Sequence, residues 1–173
     1  VGQIPLLIID LDGSANSGTA IEAAIVDFDM AAEYSTSIPS DLSLYSSIFL
    51  CLGIYSDNHT LSSSEGQDFA DFLNAGGNLY MEGGDTWYYD TQTAVHSMFG
   101  VNATGDGSGD LGSVLGQEGT FTEGMTFTYS GDNNWIDHIE ATGSAVAIFN
   151  NQSPSYGTGI ANDAGAYKTI AAS

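Results

Sequence analysis

Acidic side chains follow several apolar runs of the sequence, at the points where buried strands are expected to end. Four of these residues are candidate metal ligands: Asp10, Asp12, Asp57 and Asp85. The loops after parallel strands line one edge of a sheet, so these carboxylates are expected to lie close together. Converging carboxylates repel one another unless a cation joins them, and oxygen ligands favour Ca²⁺. The pattern predicts a Ca²⁺ site; the alternative is a set of solvated turn residues, since Asp is common in turns.

Three consecutive aromatic residues, Trp87, Tyr88 and Tyr89, follow the last of these carboxylates. Aromatic rings beside acidic groups can stack on sugars, which predicts a carbohydrate-binding surface. The alternative is that the rings pack against the core at the start of a helix. The sequence alone leaves both interpretations open.

A single cysteine, Cys51, lies in the apolar run of residues 48–52. One cysteine cannot form a disulfide within the chain, so the protein is not a disulfide scaffold. A strand buried on both faces shields a thiol and raises its pKa. We therefore expect Cys51 to be an inert core residue.

The elements that position these residues alternate between strands and helices over the first hundred residues. Apolar runs predict strands over residues 4–9, 48–53 and 78–81, and a weaker strand closed by Pro39 is predicted over 32–38. Helical spacing predicts a first helix whose inward residues are Ile21, Ala24, Ile25 and Phe28. A second helix is predicted to begin at residues 62–65, with Phe69, Phe72 and Leu73 inward. A short third helix is predicted over residues 91–99. Helical crossovers are what parallel strands require. The order therefore predicts an α/β fold with a mainly parallel, flavodoxin-like sheet flanked by helices.

The C-terminal third is β-rich, with strands predicted over residues 126–129, 145–149, 159–161 and 167–171. This region has too few large aliphatic residues for a second core, so residues 1–173 are expected to form a single domain. The late strands are expected to extend one edge of the sheet and return to its centre. We expect the domain to be a piece of a longer protein.

The charge balance excludes two classes of partner. The chain has 22 acidic residues, no arginine and one lysine, Lys168, for a formal net charge of −21. Nucleic-acid binding and docking on anionic membranes both need clusters of basic residues. No apolar stretch is long enough to span a bilayer, so membrane insertion is not expected. An acidic surface rich in Gly, Ser, Thr and Asn is typical of a secreted or cell-surface protein.

The segment 41–85 carries a resemblance to a known family. It combines the strand 48–53, the polar loop 55–60, the helix that opens at Ser62-Ser63-Ser64-Glu65, and the piece Ala75-Gly76-Gly77-Asn78-Leu79. In this it resembles class I glutamine amidotransferase-like (flavodoxin-type) domains, which occur as accessory modules in large secreted bacterial proteins. Catalytic members of that family carry a nucleophilic Cys at the turn after the strand that matches residues 78–81. Here that turn is Glu82-Gly83-Gly84-Asp85, so the resemblance implies the fold and an accessory role without amidotransferase activity.

A second resemblance supports an enzymatic alternative. Asp10-Leu11-Asp12-Gly13 after an apolar strand is similar to the first motif of haloacid dehalogenase-type phosphatases, and Gly84-Asp85 with Asp90 is similar to their metal-binding motif. That mechanism needs a Lys or Arg between the two motifs to hold the phosphoryl group, and this chain has none there. The sequence therefore favours a non-catalytic accessory or interaction module of a secreted or cell-surface protein. Its expected partners are other domains of the parent protein or an extracellular polymer; the alternative is a metal-dependent, phosphatase-like hydrolase.

Overall fold

Strands and helices alternate in the first part of the chain in the computed structural model, which describes residues 5–14 and 16–173. The strands are β1 (Leu6–Asp10), β2 (Ala32–Ser35), β3 (Ser47–Cys51) and β4 (Asn78–Glu82), and the helices are α1 (Asn16–Asp27) and α2 (Ser63–Asn74). The predicted first strand includes Ile4, which lies outside the described residues. Most side chains of β1 and β3 are buried whichever face of the sheet they point to, as in strands covered on both faces.

Strands dominate the rest of the chain. They are β5 (Val101–Gly105), β6 (Ser113–Gly116), β7 (Thr126–Thr128), β8 (His138–Ala141), β9 (Val146–Gln152), β10 (Ser155–Asp163) and β11 (Lys168–Ala172). The predicted third helix over residues 91–99 is reduced to a short 3₁₀ turn at His96–Met98, and a second 3₁₀ turn lies at Leu42–Leu44.

The strands found in the described residues form one mixed sheet with the order β2-β1-β3-β4-β11-β10-β9-β6-β7, while β5 pairs with β8 and β8 with β10. The α/β class is confirmed, and β11 returns to the centre of the sheet beside β4, parallel to it. The predicted dominance of parallel strands is confirmed only in part, because six of the ten strand pairs in the described chain are antiparallel. The links between β9, β10 and β11 are too short for a helical crossover, so these strands pair as hairpins.

Helix α2 supplies much of the core. Its N-terminus is closed by a capping box, in which Glu65 N donates to Ser62 Oγ at 3.3 Å and Ser62 N donates to Glu65 Oε2 at 2.7 Å. The predicted inward residues Phe69, Phe72 and Leu73 are buried against the sheet. This cluster fixes the parallel strands beneath the helix and therefore the loops that follow them.

Helix α1 buries a smaller face than the sequence predicts. Ile25 is buried and Ile21 is half-buried, but Ala24 is exposed and Phe28 is 79% exposed. The prediction for Ala24 and Phe28 is wrong: Ala24 lies on the exposed face of α1, and Phe28 does not continue the helical face because α1 ends at Asp27. No helix in the described chain is both long and apolar enough to cross a membrane.

Candidate functional site

A crevice of about 520 Å³ lies at the carboxyl ends of the parallel strands β1, β3, β4 and β11. Open α/β sheets bind their ligands at this edge. The crevice walls include polar and aromatic side chains from the loops after these strands and from the segment before β8: Asp12, Ser14, Tyr55, Asp57, Glu82, Tyr129, Ser130 and Asp132. Asp12, Tyr55, Asp57 and Glu82 belong to segments that the sequence singled out, and the contribution of residues 129–132 is new.

The first predicted ligand, Asp10, is buried and already hydrogen-bonded. Tyr34 Oη donates to Asp10 Oδ2 at 2.5 Å, and Asp12 N donates to Asp10 Oδ1 at 3.2 Å. Helix α1 begins so close that a Cβ on Gly18 would stand 2.1 Å from Asp10 Oδ2. Burial and Asp10 together raise the pKa of Tyr34, so Tyr34 remains a donor to this carboxylate. Asp10 therefore joins β1, β2 and α1 and is not directed to a ligand.

Asp12 and Asp57, the next two predicted ligands, connect the loops after β1 and β3. Asp12 accepts hydrogen bonds from Ser14 N at 3.0 Å and Ser14 Oγ at 2.6 Å, and Gly53, at φ +81°, lies directly beneath it. A Cβ on Gly53 would stand 2.6 Å from Asp12 Oδ1, so this close approach requires glycine. Asp57 is exposed, and its backbone carbonyl accepts from Gly13 N at 3.1 Å. The loops after β1 and β3 are thereby held side by side.

The predicted metal centre is not assembled from Asp10, Asp12, Asp57 and Asp85. Within the part of the chain that the structure describes, no group of three or more His, Cys, Asp or Glu side chains is placed to hold a metal ion. The physical reason is that Asp10, Asp12 and Asp85 each accept hydrogen bonds from nearby donors, Asp10 and Asp12 within the first loop and Asp85 in another. These contacts orient the three carboxylates toward donors of the protein.

Two buried carboxylates join three loops at the crevice mouth. Asp85 Oδ2 accepts from Tyr55 N at 3.1 Å, and Asp137 Oδ2 accepts from Trp87 N and Tyr88 N, each at 2.8 Å. Backbone bonds reinforce this arrangement: Gly84 N donates to the Gly53 carbonyl at 3.0 Å, and Asp137 N donates to the Gly84 carbonyl at 2.8 Å. The loops after β3 and β4 and the segment before β8 thus form one connected structure.

The environment of Asp137 disfavours its charged form. Its side chain is 0% exposed, and Oδ1 is buried with no hydrogen-bond partner in the described chain. The pKa of Asp137 is raised to about 7, chiefly by burial; the two N–H donors oppose the increase and the charges of Asp85 and Asp106 add to it. The pKa of Asp85 is also raised, mainly by burial. The sequence analysis did not identify Asp137, since a lone Asp before a short strand carries no motif.

A buried histidine supports the same loop. His96 Nδ1 accepts from Thr93 N at 3.0 Å, and His96 Nε2 lies 3.3 Å from Thr86 Oγ1. Burial lowers the pKa of His96 to about 4, so its ring is neutral near physiological pH. This histidine is a packing residue.

The three predicted sugar-binding aromatics separate into two groups. Trp87 is buried: its ring meets Phe99 at 5.1 Å and His96 at 5.7 Å between centroids, and Nε1 donates to the Ala172 carbonyl at 2.8 Å. The structure therefore places the Trp87 ring in the core. Tyr88 and Tyr89 are 53% and 73% exposed.

Two further aromatic residues are exposed on the loops that Asp85 and Asp137 hold. Tyr55 is 59% exposed and Trp135 is 45% exposed. Trp135 has φ +65°, a conformation that residues other than glycine rarely adopt. No sequence signal connects these residues with Tyr88 and Tyr89, since they lie far away in the chain.

The cysteine and the turn after β4 show no arrangement for covalent catalysis. Cys51 lies within β3 and is fully buried, and burial, with the charges of Glu82 and Asp10, raises the pKa of its thiol. The last residue of β4 is Glu82, whose Oε2 accepts from Tyr80 Oη at 2.7 Å. A protonated, enclosed thiol is a poor nucleophile.

Comparisons with known proteins identify similar folds. No family model matches the chain, and no curated protein does. Solved structures that resemble it include the "mmIFT52 N-terminal domain", with 14% identity and a TM-score of 0.65 over 99% of this chain and 85% of that one. The exo-β-1,4-mannosidase Op5Man5 from Opitutaceae bacterium strain TAV5 has 11% identity and a TM-score of 0.67 over 97% of this chain. Agd3, a carbohydrate deacetylase, has 15% identity and a TM-score of 0.62 over 98% of this chain.

This chain spans only 30% of the mannosidase and 29% of the deacetylase. At such low identities these similarities show a shared fold alone. The fold of this chain therefore occurs both as most of one solved domain and as part of two much longer proteins.

Proposed function

We propose that this chain is a non-catalytic accessory domain of a secreted or cell-surface protein, and that it binds a ligand at the crevice between its strand-end loops. The observation that carries the proposal is the chemistry of this crevice. It stands where α/β sheets bind ligands, and it offers carboxylates, hydroxyls and tyrosines. The carboxylates that would serve a hydrolase are occupied by hydrogen bonds within the protein.

The strand order supports the finer fold assignment. The five parallel strands follow the order β2-β1-β3-β4-β11, which is 2-1-3-4-5 when only these five are numbered. That is the flavodoxin-like order, and it agrees with the resemblance to class I glutamine amidotransferase-like domains. The turn after β4, where catalytic members of that family hold their Cys, has neither thiol nor hydroxyl. We therefore assign the fold of that family to this chain without its reaction.

The longer structural neighbours support an accessory role. In the mannosidase and the deacetylase, a region similar to this chain accounts for less than a third of the protein. A domain of this kind can therefore stand beside others in proteins that act on carbohydrates. Other domains of the parent protein and an extracellular polymer are the partners we propose, and the net charge of −21 excludes a strongly anionic polymer.

A turnover assay tests the non-catalytic assignment. The purified domain is incubated with generic phosphoester, ester and amide substrates, with and without Ca²⁺ or Mg²⁺. We expect no product above the buffer control. Turnover that disappears in Asp10→Asn or Asp12→Asn, and persists in the exposed control Asp29→Asn after α1, would establish the hydrolase alternative instead.

Fractionation of the source cells tests the location. An antibody against the domain is expected to detect it in the medium or on intact cells. Detection only in the cytosolic fraction would refute the extracellular assignment, without bearing on the crevice.

A further inference from the structure

We propose that four exposed aromatic side chains, Tyr55 in the crevice lining and three on the loops joined to it, bind an uncharged polysaccharide chain. We call these residues the aromatic rim: Tyr55, Tyr88, Tyr89 and Trp135. The inference rests on the proposed function, because it names the ligand class of the same crevice.

The aromatic rim is built from three loops that the protein holds in place. Asp85 accepts from the backbone of Tyr55, and Asp137 accepts from the backbone of Tyr88. The Trp135 carbonyl lies 3.3 Å from the position that a Cβ on Gly84 would take, so its segment rests directly on the turn after β4. The anchors are thus backbone contacts to buried carboxylates and to a glycine, which leaves the rings free to meet a ligand.

These rings stay exposed although packing them in the core would stabilise the fold. Tyr and Trp bury large apolar areas when they pack, as Trp87 does within the same loop. The rim instead presents two neighbouring tyrosines and a tryptophan in the left-handed region of φ, a conformation that tends to occur at functional sites. Clusters of exposed aromatic groups on soluble proteins mark binding surfaces.

The polar groups near the rim match a ligand rich in hydroxyls. Asp57, Ser130 and Asp132 line the crevice together with Tyr55. Ionised carboxylates only accept hydrogen bonds, so their partners must be donors such as sugar hydroxyls. The sugar ring supplies C–H faces for the aromatic groups and O–H groups for the acidic ones.

Charge selects an uncharged chain over an anionic one. The sequence has one basic residue, Lys168, and its Nζ is paired with Asp163 Oδ2 at 2.9 Å. No arginine is available to neutralise a uronate, sulfate or phosphate group. An anionic polymer would meet a field of like charge, whereas a neutral polysaccharide would not.

Binding to soluble polysaccharides tests the rim. The probes are mannan, mixed-linkage β-glucan and starch as neutral chains and polygalacturonate as an anionic one, with retardation in affinity gels as the measurement. We expect at least one neutral chain to bind. Tyr89→Ala and Trp135→Ala should each weaken that binding about tenfold, in proportion to the loss of one stacked ring.

The matched control is Phe28→Ala, which removes another exposed ring, located after α1 and before β2 at the amino ends of the parallel strands. It should bind like the unmodified protein, and thermal unfolding should show that all three variants are folded. Failure to bind any neutral chain, preference for polygalacturonate, or equal binding by the rim variants would overturn the inference. Cleavage of a bound chain would instead overturn the non-catalytic assignment and leave the binding surface in place.

Discussion

Asp137→Asn should change how the stability of this protein depends on pH. Folding raises the pKa of Asp137 from 3.8 to about 7, so between these values the folded state holds a proton that the unfolded state releases. The stabilisation from this group is therefore complete below about pH 4 and is lost as the pH rises through about 7. An asparagine does not titrate, and its side-chain oxygen can still accept from Trp87 N and Tyr88 N.

The size of the effect follows from the same pKa difference. The full difference corresponds to about 4 kcal/mol. The carboxyl group is buried under surface loops that can relax and admit water, so we expect roughly half of this, about 2 kcal/mol. Asp85 and Asp106, whose charges raise the pKa of Asp137, remain unchanged in the variant. The difference in unfolding free energy, variant minus unmodified protein, should therefore increase by about 2 kcal/mol as the pH rises from about 4 to about 8.

The comparison between the two proteins is essential because His96 acts in the opposite sense. Its pKa falls from 6.5 to about 4 on folding, so its contribution to stability is lost as the pH falls between these values. The pH profile of the unmodified protein alone therefore mixes two opposing effects. Since His96 is present in both proteins, it cancels in their difference.

Urea unfolding at constant ionic strength over this pH range measures that difference. In addition, the ¹³C shift of the Asp137 carboxyl group should titrate near pH 7 in the folded protein. A difference in stability that stays constant with pH, or a carboxyl that titrates near 4, would show that Asp137 is well solvated and that burial does not control its ionisation.

Three further predictions concern the thiol, the net charge and the carboxylates at the strand ends. Cys51 should resist thiol reagents in the native protein and react after unfolding, because it is fully buried; rapid native labelling would contradict this. The melting temperature should rise between low and moderate NaCl, since screening weakens repulsion among 22 acidic groups; a flat response would mean that cations already neutralise them. Ca²⁺ and Mg²⁺ at equal ionic strength should raise the melting temperature equally, and Asp12→Asn should respond like the unmodified protein, because Ser14 already engages Asp12. A rise in melting temperature that Ca²⁺ alone produces and that Asp12→Asn abolishes would instead support the predicted metal site.

The parallel part of the sheet could be predicted because its signals are local. Strand β3 is nearly all apolar, β4 contains the apolar run Leu79-Tyr80-Met81, and α2 has its own capping box and a clear inward face. Strands β5, β6 and β8 were missed because they are short and rich in polar or small residues. These strands form because they pair with strands that are distant in the sequence, as Ile139 of β8 pairs with Gly157 of β10. Residues near them in the sequence give no signal of such a pairing.

The candidate site was predictable in position but not in contacts. The sequence places Asp10, Asp12, Asp57 and Asp85 in loops at one edge of a parallel sheet, and that edge does contain the crevice. Whether a carboxylate there is free depends on its neighbours in space. Tyr34 lies 24 residues from Asp10, and its hydroxyl satisfies that carboxylate through strand pairing of β1 with β2.

The burial of Trp87 likewise depends on residues that are distant in the sequence. The indole ring packs on Phe99, and its N–H reaches the carbonyl of Ala172, 85 positions along the chain. An aromatic triplet beside acidic residues looks the same in sequence whether one ring is buried or all are exposed. The return of β11 to the centre of the sheet brings the Ala172 carbonyl to the indole N–H and so helps to bury Trp87.

The antiparallel region completes the crevice that the parallel strands begin. Asp137 directly precedes β8, and the pairing of β8 with β10 fixes where this segment meets the turn after β4. There Asp137 holds the backbone of Tyr88, and Trp135 and Asp132 are brought to the crevice mouth. The loops of the first part of the chain therefore depend on strands of the last part for their positions. The surface proposed to bind sugar therefore exists only when both parts of the sheet have formed.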